Sequence, residues 1–407
     1  MHYNPSDTKL HDDGRIKYHH NGEICDVAIL ADLIGLGSSA VNTEGLVIKT
    51  LLQDEKTYYV RASNDFGQSG ETIKDAFASI EEALIVLSNK YEITGHLIID
   101  LKGEFELNCW YLPQFTGSGT ITFKGNNCTV TWRKYHNSTT AYFTNWSGLS
   151  INFTDINFNK NDSTLILFEG GKLNFTNINF GSCNLKFDNC RSTVLERCQG
   201  DVNNFSFKAF RSTLTLTSCN FIAEFKYCQL ELVNCTFNRA FIVEASSLIL
   251  RNPRIDFRYF TITAKVINST IEFLSSWLTF QNPGGDPQQR EFIVFQSCNI
   301  KDFPSNIDVQ GNRTFSNTSI VKLVNCTTPE TFNNVSYNFS SHTFVANASA
   351  IALINTAILK DLTIIGASIY RDAFSILGDR NYDNSNTNIP AETLQEAIDY
   401  LYGLITN

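Results

Sequence analysis

Glu231 and Glu272 sit at the same position in two copies of a short strand repeat, directly after its first inward-facing residue. Across the copies that position reads Asn152, Asn174, Thr215, Glu231, Ile249 and Glu272. Stacked strands rise by about 4.8 Å each, so carboxylates two coils apart would stand roughly 10 Å from each other. That is the upper edge of the roughly 6.5–9.5 Å separation of inverting glycosidases, in which one carboxyl is the acid and the other the base. The plainer alternative is two solvated strand residues, since Glu is mostly exposed in folded proteins.

A second candidate is cationic: Arg251, Arg254, Asp256, Arg258 and Tyr259. Guanidinium groups pair bidentately with carboxylates, so this cluster could hold an acidic polysaccharide. It could also neutralise a uronate while a nearby base removes a proton, as in a lyase. Its alternative is an ordinary surface patch of ion pairs. A third group lies at Trp132-Arg-Lys-Tyr-His136 with Tyr142 and Trp146. Trp132, Tyr135 and Trp146 would serve as stacking platforms for sugar rings, or equally as an interface between protomers. The sequence contains no GxSxG, HExxH, P-loop or dinucleotide fingerprint. His19-His20 lacks spaced partners, so neither a metal nor an organic cofactor is expected.

The element that must position these residues is the repeat itself. Ile151-Asn-Phe-Thr-Asp-Ile-Asn-Phe158, Leu173 to Phe180, Leu214 to Phe221, Leu230 to Phe237 and Leu248 to Ile255 superpose without gaps, and Leu185 to Cys190 matches part of the form. Each copy alternates apolar and polar residues and is rich in Phe, Ile, Leu and Thr, which suits a strand half-buried on one face. A recurrence near 20 residues with no helix between copies predicts a β-solenoid. Stacking would bury Ile151, Phe153, Leu173, Phe175, Leu214, Leu216, Leu230 and Leu232 as one column. Asp155, Asn177, Ser218, Asn234, Asn252 and Asn325 are expected to share a turn position and hydrogen-bond along the stack. The next position holds Ile156, Ile178, Cys190, Cys219, Cys235 and Cys326, so these cysteines read as packing groups.

With 407 residues and a formal net charge of −9, the chain argues against a nucleic-acid partner. Its longest apolar stretch, Ala348 to Tyr370, is broken by Lys360 and Asp361, so no membrane insertion is expected. The first residues lack the charged and apolar regions of a signal peptide. The 11 cysteines form no CxxC pair, which predicts free thiols made in a reducing compartment. Asn-X-Ser/Thr triplets recur, for example at Asn145, Asn174 and Asn234, and read as a by-product of Asn- and Thr-rich turns rather than as glycan acceptors.

Ahead of the repeat come a strand at Thr57-Tyr-Tyr-Val-Arg61, a polar turn at Ser63–Gly67 and a helix. The helix is expected to carry Ile73, Phe77, Ile80, Leu84, Leu87 and Tyr91 on one face. Strands at Leu97–Leu101 and Thr120–Gly125 follow, and the helix would cover the open end of the solenoid. Thr57–Arg61, the polar turn, Ile80-Glu-Glu-Ala-Leu84 and Gly117-Ser-Gly-Thr-Ile-Thr-Phe-Lys-Gly125 together resemble the segment leading into the β-helix of bacteriophage tail fibres and tailspikes. The turn is shorter and less Gly-rich than that family usually has. The resemblance implies a right-handed parallel β-helix, often homotrimeric, that binds and sometimes degrades host surface polysaccharide. It also implies a virion tail appendage whose N-terminus docks on other tail proteins.

Four regions are therefore expected: an attachment segment at 1–56 with a short helix at Val27–Gly35, a lead-in at 57–125, the β-helix at 126–375, and a hinge with a helix at 376–407. Phe280–Arg290 reads as a protruding Pro/Gly loop and Gly378–Asn388 as a polar hinge. After Pro390, Leu394, Ile398, Leu401 and Ile405 repeat at 4-3-4 like a coiled-coil seam, to be met by two further copies or by the chain's own body. Three functions follow in order: a phage appendage recognising host surface glycan, a polysaccharide depolymerase of the tailspike type, and a structural connector carrying another receptor-binding protein.

Overall fold

The computed structural model describes residues 8–10, 16–20, 23–26, 49–62, 68–107, 110–111, 115–132, 140–145, 148–160, 165–201, 206–256, 264–274, 277–281, 292–328, 336–356, 363–371, 396–398, 400, 401 and 404. The fold is an all-β parallel β-helix. The chain divides into two compact units, residues 1–179 and 180–407.

In the first unit, Glu55–Arg61, His96–Lys102, Thr120–Trp132, Ser150–Lys160 and Lys172–Thr176 stack in parallel on one face. The lead-in segment thus supplies the first coil strands itself. Thr140–Thr144 and Leu165–Glu169 pair on a second face. Strand alternation sends Phe123, Phe153 and Phe175 inward, where consecutive rings stack at 5.2 and 5.0 Å. Thr8–Leu10, Ile16–His20 and Glu23–Asp26 pair as antiparallel strands. The sequence had suggested no strand there, and the expected helix at Val27–Gly35 lies outside the described residues.

The helix α1 spans Ile80–Lys90, shorter than the apolar spacing implied. Its start is set by a capping box. The Ser79 hydroxyl accepts from the Glu82 amide at 3.0 Å, and the Glu82 carboxylate accepts from the Ala78 amide at 2.9 Å. Ile73 therefore falls outside the helix and is exposed, while Phe77 is buried beside the first strand. Strand Glu55–Arg61 ends its sheet, a position that leaves backbone groups unpaired. Phe77 and Gly70 satisfy them: the Tyr59 amide donates to Gly70 and the Arg61 amide to Phe77, while the Phe77 amide donates to Tyr59.

In the second unit, one face stacks Ser192–Glu196, Thr213–Thr217, Gln229–Val233, Ser247–Arg251 and Thr270–Phe273. A second face stacks Asn184–Asp188, Ser206–Phe210, Asn220–Lys226, Thr236–Glu244, Ala264–Ile267, Ile293–Gln296, Ser319–Val324 and Ser349–Ile354. A third face carries Arg254–Asp256, Trp277–Gln281 and Asn306–Val309 beside Thr236–Asn238.

The faces meet at corners where one residue takes the left-handed conformation, which Asn tolerates best among residues with a side chain. After the first face these residues are Arg197, Ser218, Asn234 and Asn252. After the second they are Asn189, Arg211, Tyr227, Ala245, Asn268, Ser297, Asn325 and Asn355. Each coil thus carries the strand-plus-corner pattern twice. This corrects the single alignment expected from sequence: Asn325 with Cys326, and the copy from Leu185 to Cys190, belong to the second corner. The amides stack as expected, Asn252 onto Asn234 at 3.1 Å and Asn355 onto Asn325 at 3.0 Å. Asn177 likewise donates to Asp155 at 2.6 Å in the first unit.

The residue after each corner turns inward and explains the cysteines. Cys228 donates its thiol to the Lys226 carbonyl at 3.2 Å, as Ser246 donates its hydroxyl to the Glu244 carbonyl at 2.8 Å. Burial pushes the Cys190 thiol up to about 11 and raises that of Cys228, so both remain protonated donors. The cysteines at 128, 183, 190, 198, 219, 228, 235, 298 and 326 are buried and form no disulfide.

Candidate functional site

The column predicted from sequence exists: Glu231 aligns with Ile249, and Ile249 with Glu272. Two strand spacings place the carboxylate-bearing positions roughly 10 Å apart. Glu231 does not stand free, because the Arg251 guanidinium reaches its carboxylate at 3.3 Å. Ile249 separates the two acids on an open strand face, with the Glu231 side chain 40% exposed. Acid catalysis by such a pair would have to proceed with one partner engaged and with little exclusion of water.

Within the cationic cluster, Arg251 and Arg254 lie on different faces. Arg251 ends a strand of the first face, whereas Arg254 begins a strand of the third, on the far side of the Asn252-Pro253 corner. Asp256 shares the strand of Arg254; its side chain, together with Arg258 and Tyr259, lies outside the described residues. Tyr135 and Trp146 also lie outside them. Trp132 is a correction. It is fully buried, with its ring edge-on to Phe158 and Phe168 at 5.8 and 6.1 Å, and cannot meet a ligand. Its parity with the inward Cys128 and Val130 in the strand Thr120–Trp132 required this.

Beside Arg254 the structure assembles a pocket that sequence reasoning missed. It has a volume of about 280 Å³ and is lined by Asn234, Asn252, Arg254, Trp277 and Thr279. Two successive corners supply the amides, and two neighbouring strands of the third face supply the rest, with Arg254 directly opposite Thr279. Trp277 is 53% exposed, against complete burial of Trp132. Its outward position was readable from parity, since Leu278 and Phe280 point inward on the same strand. Its approach to Asn252 was not, because the two residues are 25 positions apart.

The polar groups of this pocket are only partly used. The Trp277 amide donates to Asn252 Oδ1 at 3.2 Å, and Asn252 Nδ2 donates to Asn234 Oδ1. The side chain of Arg254 makes no ion pair with any described residue. The outward face of the first unit is different. There Asn174 donates to Asn152, Asn152 to Thr122, and His96 bridges Thr122 and Glu55 at 2.8 and 3.0 Å. That ladder is satisfied internally and offers less to a ligand.

A larger cluster also joins Lys56, Tyr58, Glu71, Lys90 and Tyr91. The two phenol oxygens lie 2.6 Å apart, and both lysines reach Glu71, at 3.3 and 3.2 Å. Burial pushes the Tyr58 phenol up to about 12. These groups tie the turn before α1 to its C-terminal end and to the first coil, which is a structural task.

Comparison of the chain with protein-family profiles, with characterised proteins and with solved structures returns no match. The functional reading therefore rests on the chain's own geometry and on the resemblance carried by its lead-in segment.

Proposed function

We propose that this chain is a bacteriophage tail appendage whose β-helix recognises a polysaccharide on the host cell surface. The observation that carries the reading is the pocket at Trp277. An exposed indole stands beside a guanidinium and corner amides on rigid coils, the combination of one stacking surface and a few placed polar groups that suits a sugar ring. The resemblance of residues 57–125 to tail-fibre and tailspike lead-in segments supports the setting. It also supports a homotrimer and attachment of the N-terminal region to other virion tail proteins.

Recognition is favoured over depolymerisation because Glu231 is engaged by Arg251 and none of the described residues lining the pocket is acidic. The decisive experiment incubates the purified protein with host capsule and lipopolysaccharide, following adsorption, polymer length and new reducing or unsaturated chain ends. Adsorption with unchanged polymer length is expected, together with loss of adsorption in Trp277→Ala. Shortened chains that persist unless Glu231→Gln or Glu272→Gln is introduced would make the protein a depolymerase. Absence of both adsorption and cleavage would leave a connector.

A further inference from the structure

We infer that the Trp277 pocket takes an anionic sugar unit, one bearing a carboxylate or an equivalent oxyanion, rather than a neutral one. This rests on the glycan reading above and adds the charge of the ligand.

The argument begins with the orientation of two amides. A backbone N–H can only donate, so the Asn252 atom that faces the Trp277 amide at 3.2 Å must be Oδ1. Asn252 Nδ2 then points at Asn234 and donates to its Oδ1 at 3.1 Å. That contact fixes the second amide in turn, leaving Asn234 Nδ2 as the group still to be used. Each amide oxygen accepts one bond and keeps a second lone pair, and one of the two NH₂ groups is already engaged.

Among the described residues, the groups open to a ligand include Asn234 Nδ2, the Arg254 guanidinium and the Thr279 hydroxyl. The first two can only donate, and the third can donate. None of the three side-chain groups bonds to another described residue. A neutral sugar presents hydroxyls that both donate and accept and brings no charge to match the guanidinium. A carboxylate accepts at both oxygens and matches the set, with the guanidinium giving a charge-assisted pair. Trp277 supplies the flat apolar surface for the ring. The volume of about 280 Å³ lies just below the roughly 300–1,000 Å³ of small-molecule sites, so the pocket admits one sugar unit of a longer polymer.

General electrostatic attraction does not favour such binding, because the chain carries a formal net charge of −9. The preference must come from a local cation, and Arg254 is the cation among the described residues that line the pocket.

The test measures binding of the full chain to galacturonate, glucuronate and mannuronate oligosaccharides, each beside its neutral methyl ester. The ester keeps the ring and its hydroxyls and removes the charge. Binding of at least one acid form, weakened about tenfold or more by esterification, is expected. Arg254→Gln should abolish the difference between acid and ester, Arg254→Lys should keep part of it, and Trp277→Ala should weaken both forms. All three substitutions are at surface positions, and an unchanged melting temperature would show that the fold is intact. Equal binding of acids and esters that still requires Trp277 would overturn the charge inference and leave the glycan reading standing. Failure of every sugar to bind would overturn both. Competition by inorganic sulfate at the same concentration as the sugars, with Trp277→Ala indifferent, would reduce the site to an oxyanion site without sugar recognition.

Discussion

At the scale of single residues, the corners decide both what the repeat tolerates and what it conceals. A left-handed corner costs a residue with a side chain about 1–2 kcal/mol, less for Asn, whose side chain bonds locally. The chain uses Asn at many corners but places Ala245 at φ 48° and Tyr227 at φ 55°. Ala245→Asn should therefore stabilise the protein by about 1 kcal/mol, read as a higher urea midpoint at unchanged slope. A lower midpoint would mean that the corner column depends on more than local backbone preference. The same corners hid part of the architecture in the sequence. Asn234-Cys235 and Asn325-Cys326 are identical dipeptides, yet one ends the first face and the other the second. Dipeptide identity cannot separate two corners built on the same conformation. Parity within a strand could do more: it was enough to send Trp132 inward and Trp277 outward, had it been applied to both.

At the scale of elements, the strands were legible because period-two alternation is their cause as well as their signature. The helix α1 was legible in existence but not in extent. Apolar spacing marks a face, whereas Ser79 and Glu82 mark the start, and the second signal overrides the first. The pocket was the least legible feature. It draws on corners at 234 and 252 and strands at 254 and 277, and only the ladder register brings them together. The junction of α1 with the first coil carries a pH dependence. Hydrogen bonds from Lys90 and then Lys56 hold the Glu71 carboxyl below its ordinary value. A carboxyl depressed on folding adds stability above its unfolded value, near 4.3, and loses it as pH falls through the folded value. Glu71→Gln should consequently lower the melting temperature at pH 7, with the gap to the unchanged protein closing below about pH 4. A gap that persists undiminished at acid pH would show that Glu71 acts through packing rather than charge.

At the scale of the whole molecule, the remaining question is what covers the C-terminal helix. Residues 396–398, 400, 401 and 404 are helical. Within that stretch Ala397 is buried, whereas Ile398, Leu401 and Leu404 are exposed at 42%, 44% and 62%. The expected seam, of which Leu394 and Ile405 lie outside the described residues, therefore turns away from the chain's own body at Ile398 and Leu401. Short isolated helices are marginal in water, and exposed apolar side chains such as these favour association. Apolar residues at 4-3-4 spacing pack against like seams of other copies, and a ring of three would bury each seam against two others. The full chain should thus sediment at three times its 45.8 kDa mass. Leu401→Asp, which places a charge where the three seams meet, should shift it towards the single-chain mass while leaving the β-sheet circular dichroism unchanged. The position is exposed in the single chain, so the substitution has little reason to disturb the fold. A single-chain mass for the unsubstituted protein would sink the trimer. A trimer that survives Leu401→Asp would move the contact from the terminal helix to the coils themselves.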